Sequence, residues 1–340
     1  MKIQKEFEQG RRDFLRTLGI GGGALLSGGV NLPLLFAKDI YPANKVEWIC
    51  YTKPGGGFDM IARNITPFLG KYLKEVSKGA GGGEIVFRNI VAAGGIRAYS
   101  TIYHAQPDGY TIGDFNIGSY CESMFSKSDI DYYKYSYLLR TGISFRVIAT
   151  NKNGFKSWAE MVKAAKGKEL KLAVGSYGAG NHILAILFNQ AANMSLRPLA
   201  FPGTAESLNA VLRGDVEMCL VPTEAIKPLL EAGELRVLAV FSDRSDYPGV
   251  PSLAQLGYPE LAEAAKLHRF IFGPPNIPGN VKDILIAAFK KVFNDREFLK
   301  RAKLIGFDPD PLYGAEAEGL VKKIFSYYDK NASVIKKGLA

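Results

Sequence analysis

Short apolar runs that end in small-residue loops and open into helical periodicity recur along this chain of 340 residues. The first instance is the clearest. Val46-Glu47-Trp48-Ile49-Cys50-Tyr51 reads as a buried strand, Lys53-Pro54-Gly55-Gly56-Gly57-Phe58-Asp59 as a loop, and a helical pattern starts at Met60. Strand, glycine loop and helix in that order aim main-chain N–H groups at the loop, where an anion can be held without a side-chain cation. Three successive glycines allow φ > 0 and let a ligand approach the main chain closely. Asp59 is placed to act as N-cap, its carboxylate turned back onto the first helical amides. A tight strand-to-helix turn without a ligand would need the same glycines, so the loop alone does not decide.

The pattern then repeats. Glu84-Ile85-Val86-Phe87-Arg88-Asn89 runs into Ala92-Ala93-Gly94-Gly95, and a strand from Tyr110 ends at Phe115-Asn116-Ile117-Gly118-Ser119. Phe145 to Thr150 is a strand long enough to cross between domains. Lys171 to Val174 feeds Gly175-Ser176-Tyr177-Gly178-Ala179-Gly180-Asn181 and an apolar helix, and Phe201-Pro202-Gly203-Thr204 opens another. Further strands are expected at Val216 to Val221, Leu235 to Val240 and Arg269 to Gly273, the last as a return strand. Amphipathic helices are expected at Val281 to Phe293 and Ala315 to Ile335. Pro67 predicts a kink or restart in the first helix. Such alternation is an α/β signature, and without a low-complexity linker its two halves should be joined by strands.

Loops at the carboxyl ends of strands in both halves should converge on one crevice. The candidate ligand-binding residues are therefore Lys53, Gly55, Gly56, Gly57 and Phe58 from the first loop, with Gly94, Asn116 and Ser119. From the second half come Ser176, Tyr177, Gly180, Asn181, Phe201 and Thr204. The rings of Phe58, Tyr177 and Phe201 favour a ligand with an apolar or aromatic body over a hydroxylated one such as citrate.

Other signals set bounds. Gly10-Arg11-Arg12-Asp13-Phe14-Leu15-Arg16 resembles a twin-arginine export motif, and Leu18 to Phe36 is a weakly apolar h-region before Ala37. Residues 1–37 thus read as a signal peptide, and the mature protein is expected in the periplasm. The formal charge of +10 comes from scattered basic residues without a stripe of interleaved aromatics, which excludes nucleic acid and suits attraction of small anions. Cys50, Cys121 and Cys219 lie far apart, which predicts buried free thiols and no metal site. His104, His182 and His268 form no HExxH pattern, and no GxSxG elbow is present. Ser176 and His182 have no defined nucleophile–base geometry and no orienting acid, so no catalytic residue, no cofactor and no enzyme activity are expected. His182 reads as a first-turn helix residue, and Arg269 as an ion-pair partner between lobes or on the surface.

Several of these motifs occur in one recognisable order: Pro54-Gly55-Gly56-Gly57-Phe58-Asp59 with Ala62-Arg63, Asn89 with Gly94-Gly95, and Pro107-Asp108-Gly109-Tyr110-Thr111. The loop from Gly175 to Asn181, Leu212-Arg213-Gly214-Asp215-Val216-Glu217, Gly233 to Val240 and Gly249-Val250-Pro251-Ser252-Leu253 follow. In this the chain resembles the extracytoplasmic solute-binding proteins of tripartite tricarboxylate transport systems, the Bug or TctC-type receptors. The resemblance implies a type II periplasmic-binding-protein fold: two α/β lobes, at 44–143 plus 250–340 and at 144–249, joined by crossing strands around a ligand cleft. It also implies an organic acid as ligand, its carboxylate held by loop amides and ordered water, with transporter membrane subunits as partners and a monomeric receptor. A periplasmic sensor that presents the same closed form to a membrane sensor kinase is the alternative. The chain departs from the family pattern at Phe58, where Thr or Ser is common, and at His268-Arg269, where many members carry Trp.

Overall fold

Trp48, Ile49 and their neighbours form β1 (Val46–Cys50), buried at the interior of a sheet as a run of apolar and β-branched residues requires. In the computed structural model, which describes residues 41–76, 82–91, 95–124 and 128–340, β1 pairs in parallel with β2 (Ile85–Asn89) and β3 (Thr111–Asn116). The crossovers are α1 (Gly57–Val76) and α2 (Ile96–Tyr103), and α3 (Gly118–Ser123) leads on to β4 (Ser136–Ser144). The leader read at residues 1–37 and Gly94 lie outside the described residues.

The second sheet follows at once. It is built from β5 (Arg146–Asn151), α4 (Trp158–Ala165), β6 (Leu170–Val174), α5 (Gly180–Ala192) and β7 (Leu196–Ala200). It continues through α6 (Thr204–Arg213), β8 (Met218–Pro222), α7 (Thr223–Glu231) and β9 (Leu235–Phe241). The chain returns through α8 (Pro259–Ala265) to β10 (Leu267–Gly273). It closes with α9 (Gly279–Asn294), α10 (Arg296–Leu304), β11 (Pro309–Tyr313), α11 (Ala315–Lys330) and α12 (Ala332–Leu339).

The six-stranded sheet has the order β11-β4-β10-β3-β1-β2 and the five-stranded sheet β7-β6-β8-β5-β9. Each receives an antiparallel strand from chain that has just left the other: β10 between β3 and β4, and β5 between β8 and β9. This is the two-lobed topology of type II periplasmic binding proteins. The first crossing needs only Phe145, between Ser144 and Arg146. The return is longer than a strand, because α8 is interposed before β10.

Three local expectations are corrected. The first helix does not restart at Pro67; α1 runs through it. Proline withholds the amide that would bond the carbonyl of Arg63, and the Thr66 hydroxyl contacts that carbonyl instead, at 3.5 Å. The helix expected from Ala315 to Ile335 is two helices, α11 and α12, divided at Asn331. Asp59 is not an N-cap, since α1 already begins at Gly57.

Alternation along the strands distributes side chains between layers. On β5, Val147 and Ala149 enter one core and Ile148 the opposite one; on β10, Phe270 and Phe272 face away from Ile271. One apolar core joins Tyr99, Phe115 and Phe272 of the first lobe to Leu172, Phe188 and Phe241 of the second. Both sheets belong to one compact unit, Ile40–Ala340. Helix α12 leaves the first lobe and packs on α5 of the second, so closely that Gly338 has no room for a methyl group against Ile186.

Candidate functional site

The first glycine loop is locked from behind. Asp59, third in α1 and buried, reaches back to the Gly55 N–H with Oδ2 at 2.9 Å. Its Oδ1 also accepts from Arg63 Nε at 3.0 Å and from Asn89 Nδ2 at 2.8 Å. Burial alone would raise the carboxyl's pKa, but the bonds from Asn89, the Gly55 amide and Arg63 outweigh it and hold the group below its usual value. Asn89 Nδ2 also donates to Thr52 O at 2.9 Å, which ties the loop to β2. Gly55 takes φ 81°, where a side chain would be strained, and Gly56 donates to Lys53 O at 3.0 Å. Asp59 therefore shapes the loop and leaves the α1 N-terminus to other partners.

Two loops from opposite lobes meet beside it. A methyl group added to Gly118 would lie 3.5 Å from the Cα of Gly180, so the lobes are closed there. Asn116 Oδ1 accepts from the Gly118 N–H at 3.1 Å, and Ser119 is buried against the Tyr99 hydroxyl at 3.0 Å. Across the gap, buried Arg146 donates through Nε to Asn181 Oδ1 at 2.6 Å and through Nη1 to Ala265 O at 2.5 Å. Asn181 in turn donates to Leu220 O at 3.1 Å. Desolvation, with the Arg269 charge adding to it, pulls the Arg146 pKa down from its usual value, which Tyr328, Glu224 and Tyr51 offset only in part.

The remaining residues expected at the site stand further out. Lys53 is exposed, Ser176 donates to Pro202 O at 3.3 Å, and Phe201 packs beside the outer core of the second lobe. Thr204 opens α6. Tyr177 is 64% exposed and donates to Leu339 O in α12. Its ring lies 5.1 Å from that of His182, a buried first-turn residue whose Nδ1 accepts from the Gly178 N–H at 3.1 Å. Burial lowers the His182 pKa. Cys50, Cys121 and Cys219 are buried and joined in no disulfide among the described residues.

A cavity of about 890 Å3 opens between the lobes next to the first loop. Of the described residues expected at the site, only Gly57 and Phe58 line it. Its apolar walls include Ile61 and Ile143 from the first lobe and Phe145 at the crossing, and the N-terminal residues of α7, Thr223 and Glu224, form the opposite side. Arg269, buried on β10, donates to Ser144 Oγ and, from Nη2, to Glu224 Oε1 at 3.3 Å. Its guanidinium carbon lies 5.4 Å from the centre of the Phe58 ring. It is the interlobe ion-pair partner expected from sequence. Arg244, over the Phe145 ring at 5.0 Å, lines the cavity as well. The reading from sequence missed Glu224, Arg244 and the α7 N-terminus. Val221-Pro222-Thr223-Glu224 is another strand-to-helix junction, but it carries no glycine to mark it in the sequence.

The same architecture recurs in known proteins. The family model described as tripartite tricarboxylate transporter family receptor, TctC, matches residues 73–338. Protein BugT of Bordetella pertussis is 28% identical over 258 residues, covering 72% of this chain and 75% of BugT. A TctC solute binding protein from Polaromonas superposes with a TM-score of 0.74 at 18% identity, covering 87% of this chain and 99% of its own. A protein of Rhodopseudomonas palustris solved with adipate superposes at 0.68 and 21% identity, covering 87% and 98%. With the family model matched from within α1 to the penultimate residue of α12 on a two-lobed binding-protein fold, the chain belongs to the TctC family of tripartite tricarboxylate transporter receptors.

Proposed function

We propose that this protein is an exported periplasmic receptor that captures a small organic carboxylate between its lobes and presents it to the membrane subunits of a tripartite tricarboxylate-type transporter. One observation carries the reading: a cavity of about 890 Å3, walled by both lobes, where the α1 and α7 N-termini and Arg269 stand beside apolar side chains. Helix N-termini and a guanidinium favour an anion, and the volume suits a small molecule. Phe58, Ile61, Ile143 and Phe145 would cover the ligand's body, at roughly 25 cal/mol per Å2 of apolar surface removed from water. Hydroxyl groups that fall against these four side chains would go unpaired, each costing about 1–3 kcal/mol, whereas the polar lining (Ser144, Thr223, Glu224, Arg244, Asp246, Asp308 and Asp310) lies elsewhere on the wall. The adipate held by the Rhodopseudomonas palustris neighbour is a carboxylate with an apolar body, and supports the same class here. In this reading the receptor acts as a monomer and without catalysis. Titration calorimetry of the purified mature protein with adipate, benzoate, terephthalate and citrate tests the reading. One-to-one binding is expected, with citrate the weakest; tightest binding to citrate, or no heat from any of the four, overturns it.

A further inference from the structure

Arg269 is only 8% exposed, yet its hydrogen bonding is incomplete. Nη1 is occupied by Ser144 and Nη2 by Glu224, whereas Nε is buried without a hydrogen-bond partner among the described residues. A guanidinium edge is built to meet both oxygens of one carboxylate, through Nε and Nη2 together. Glu224 does not meet it that way. One oxygen touches one nitrogen at 3.3 Å, while the other lies 3.4 Å from the Thr223 hydroxyl on Glu224's own helix. The Glu224 side chain is 46% exposed, so water competes for it, and it stands on the lobe opposite Arg269. Ser144, Phe58, Ile143 and Leu267 line the same cavity around the guanidinium and give a carboxylate bound there a place for its apolar body.

We propose that Arg269 is the residue that grips the ligand's carboxylate, and that Glu224 is the chain's own stand-in, which the ligand displaces. The assignment rests on the carboxylate-binding reading above. An incoming carboxylate would satisfy Nε as well as Nη2 and would release Glu224 to water, where a half-exposed acid loses little. The ligands selected are those whose carboxylate lies in the plane of the guanidinium while an apolar chain or ring extends past Phe58. The empty closed form would then be held by a weak pair that a ligand of the right class outcompetes.

Adipate and its neutral analogue adipamide, titrated into wild type, Arg269→Gln, Arg269→Lys and Glu224→Gln, test this. Arg269→Gln should weaken adipate binding at least about tenfold, and Arg269→Lys should not restore it, because an ammonium cannot engage two oxygens in a fork. Glu224→Gln should tighten adipate binding about three- to tenfold by removing the competitor, and should leave adipamide unchanged. If Arg269→Gln does not fold, as judged by circular dichroism, Glu224→Gln decides alone: adipate affinity that is unchanged or weaker overturns the proposal. Wild-type binding of adipate with no change in any variant overturns Arg269 as the anchor and leaves the carboxylate reading intact. No binding of adipate, benzoate or terephthalate to wild type removes both.

Discussion

Asp114 on β3 illustrates how much one side chain can decide. It is buried, with Oδ1 on the Trp48 indole N–H at 3.1 Å and Oδ2 without a hydrogen-bond partner among the described residues. Burial, with the Asp59 charge adding to it, outweighs the bonds from Cys50 and Trp48 and pushes its pKa up to about 7. The folded protein thus retains a proton that the unfolded chain releases near the usual carboxylate pKa of about 4. This contribution to stability is fully present below about pH 4, is lost as pH rises to about 7, and changes no further above that. Asp114→Asn should therefore raise the unfolding free energy measured by urea titration at pH 8, by about 2–4 kcal/mol, and leave it nearly unchanged at pH 4. Equal effects at both pH values would refute the shift. Neighbouring residues differ in how legible they were. Phe58 was visible because it follows three glycines, and Arg269 because a cation at the start of a buried strand must find an acid. The role of Asp59 was not, since its partner Asn89 lies thirty residues away, across the sheet.

Elements with a clean alternation or an apolar stripe were readable: β1, β6, β8, β9 and helices such as α5 and α9. Others depend on partners that chain order does not announce. Strand β4 contains Arg140 and Thr141 and looks too polar for a sheet interior, but Arg140 pairs with Asp310 on β11 at 2.7 Å, from the far end of the sequence. Charge-rich α10 has too few apolar residues to show a stripe, although Asp295 caps it by accepting from the Glu297 and Phe298 amides at 2.8 and 3.2 Å. The junction of the α3 and α5 N-termini was anticipated as a meeting of small-residue loops, and its tightness makes it testable. Leucine at Gly180 would press on Arg146 and on Gly118, whose Cα lies 3.8 Å from where a Cβ would sit. Gly180→Leu should hold the lobes apart. Affinity for adipate is expected to fall at least about tenfold, and the radius of gyration in small-angle scattering should exceed that of the wild type. An unchanged radius would show that this contact is not the stop.

At the scale of the molecule, the apolar core shared by both lobes argues against independent folding units. Two lobes joined only by a hinge would unfold in two steps, whereas a common core couples them. Thermal unfolding followed by far-ultraviolet and near-ultraviolet circular dichroism should give one coincident transition, and two separated midpoints would contradict the coupling. The overall architecture was legible because it repeats, sheet by sheet; the third passage between the lobes was not, because α12 continues the pattern of α11 past Asn331 without a break in composition. That passage changes the parity of the path. Having crossed at Phe145, returned before Leu267 and crossed again at Asn331, the chain leaves Tyr41 bonded to Gly109 in one half and Leu339 bonded to Tyr177 in the other. Fluorescent dyes attached near residues 43 and 339 would therefore form an optical ruler spanning the jaws, while a pair near residues 43 and 330, at the end of α11, would ride together and register nothing.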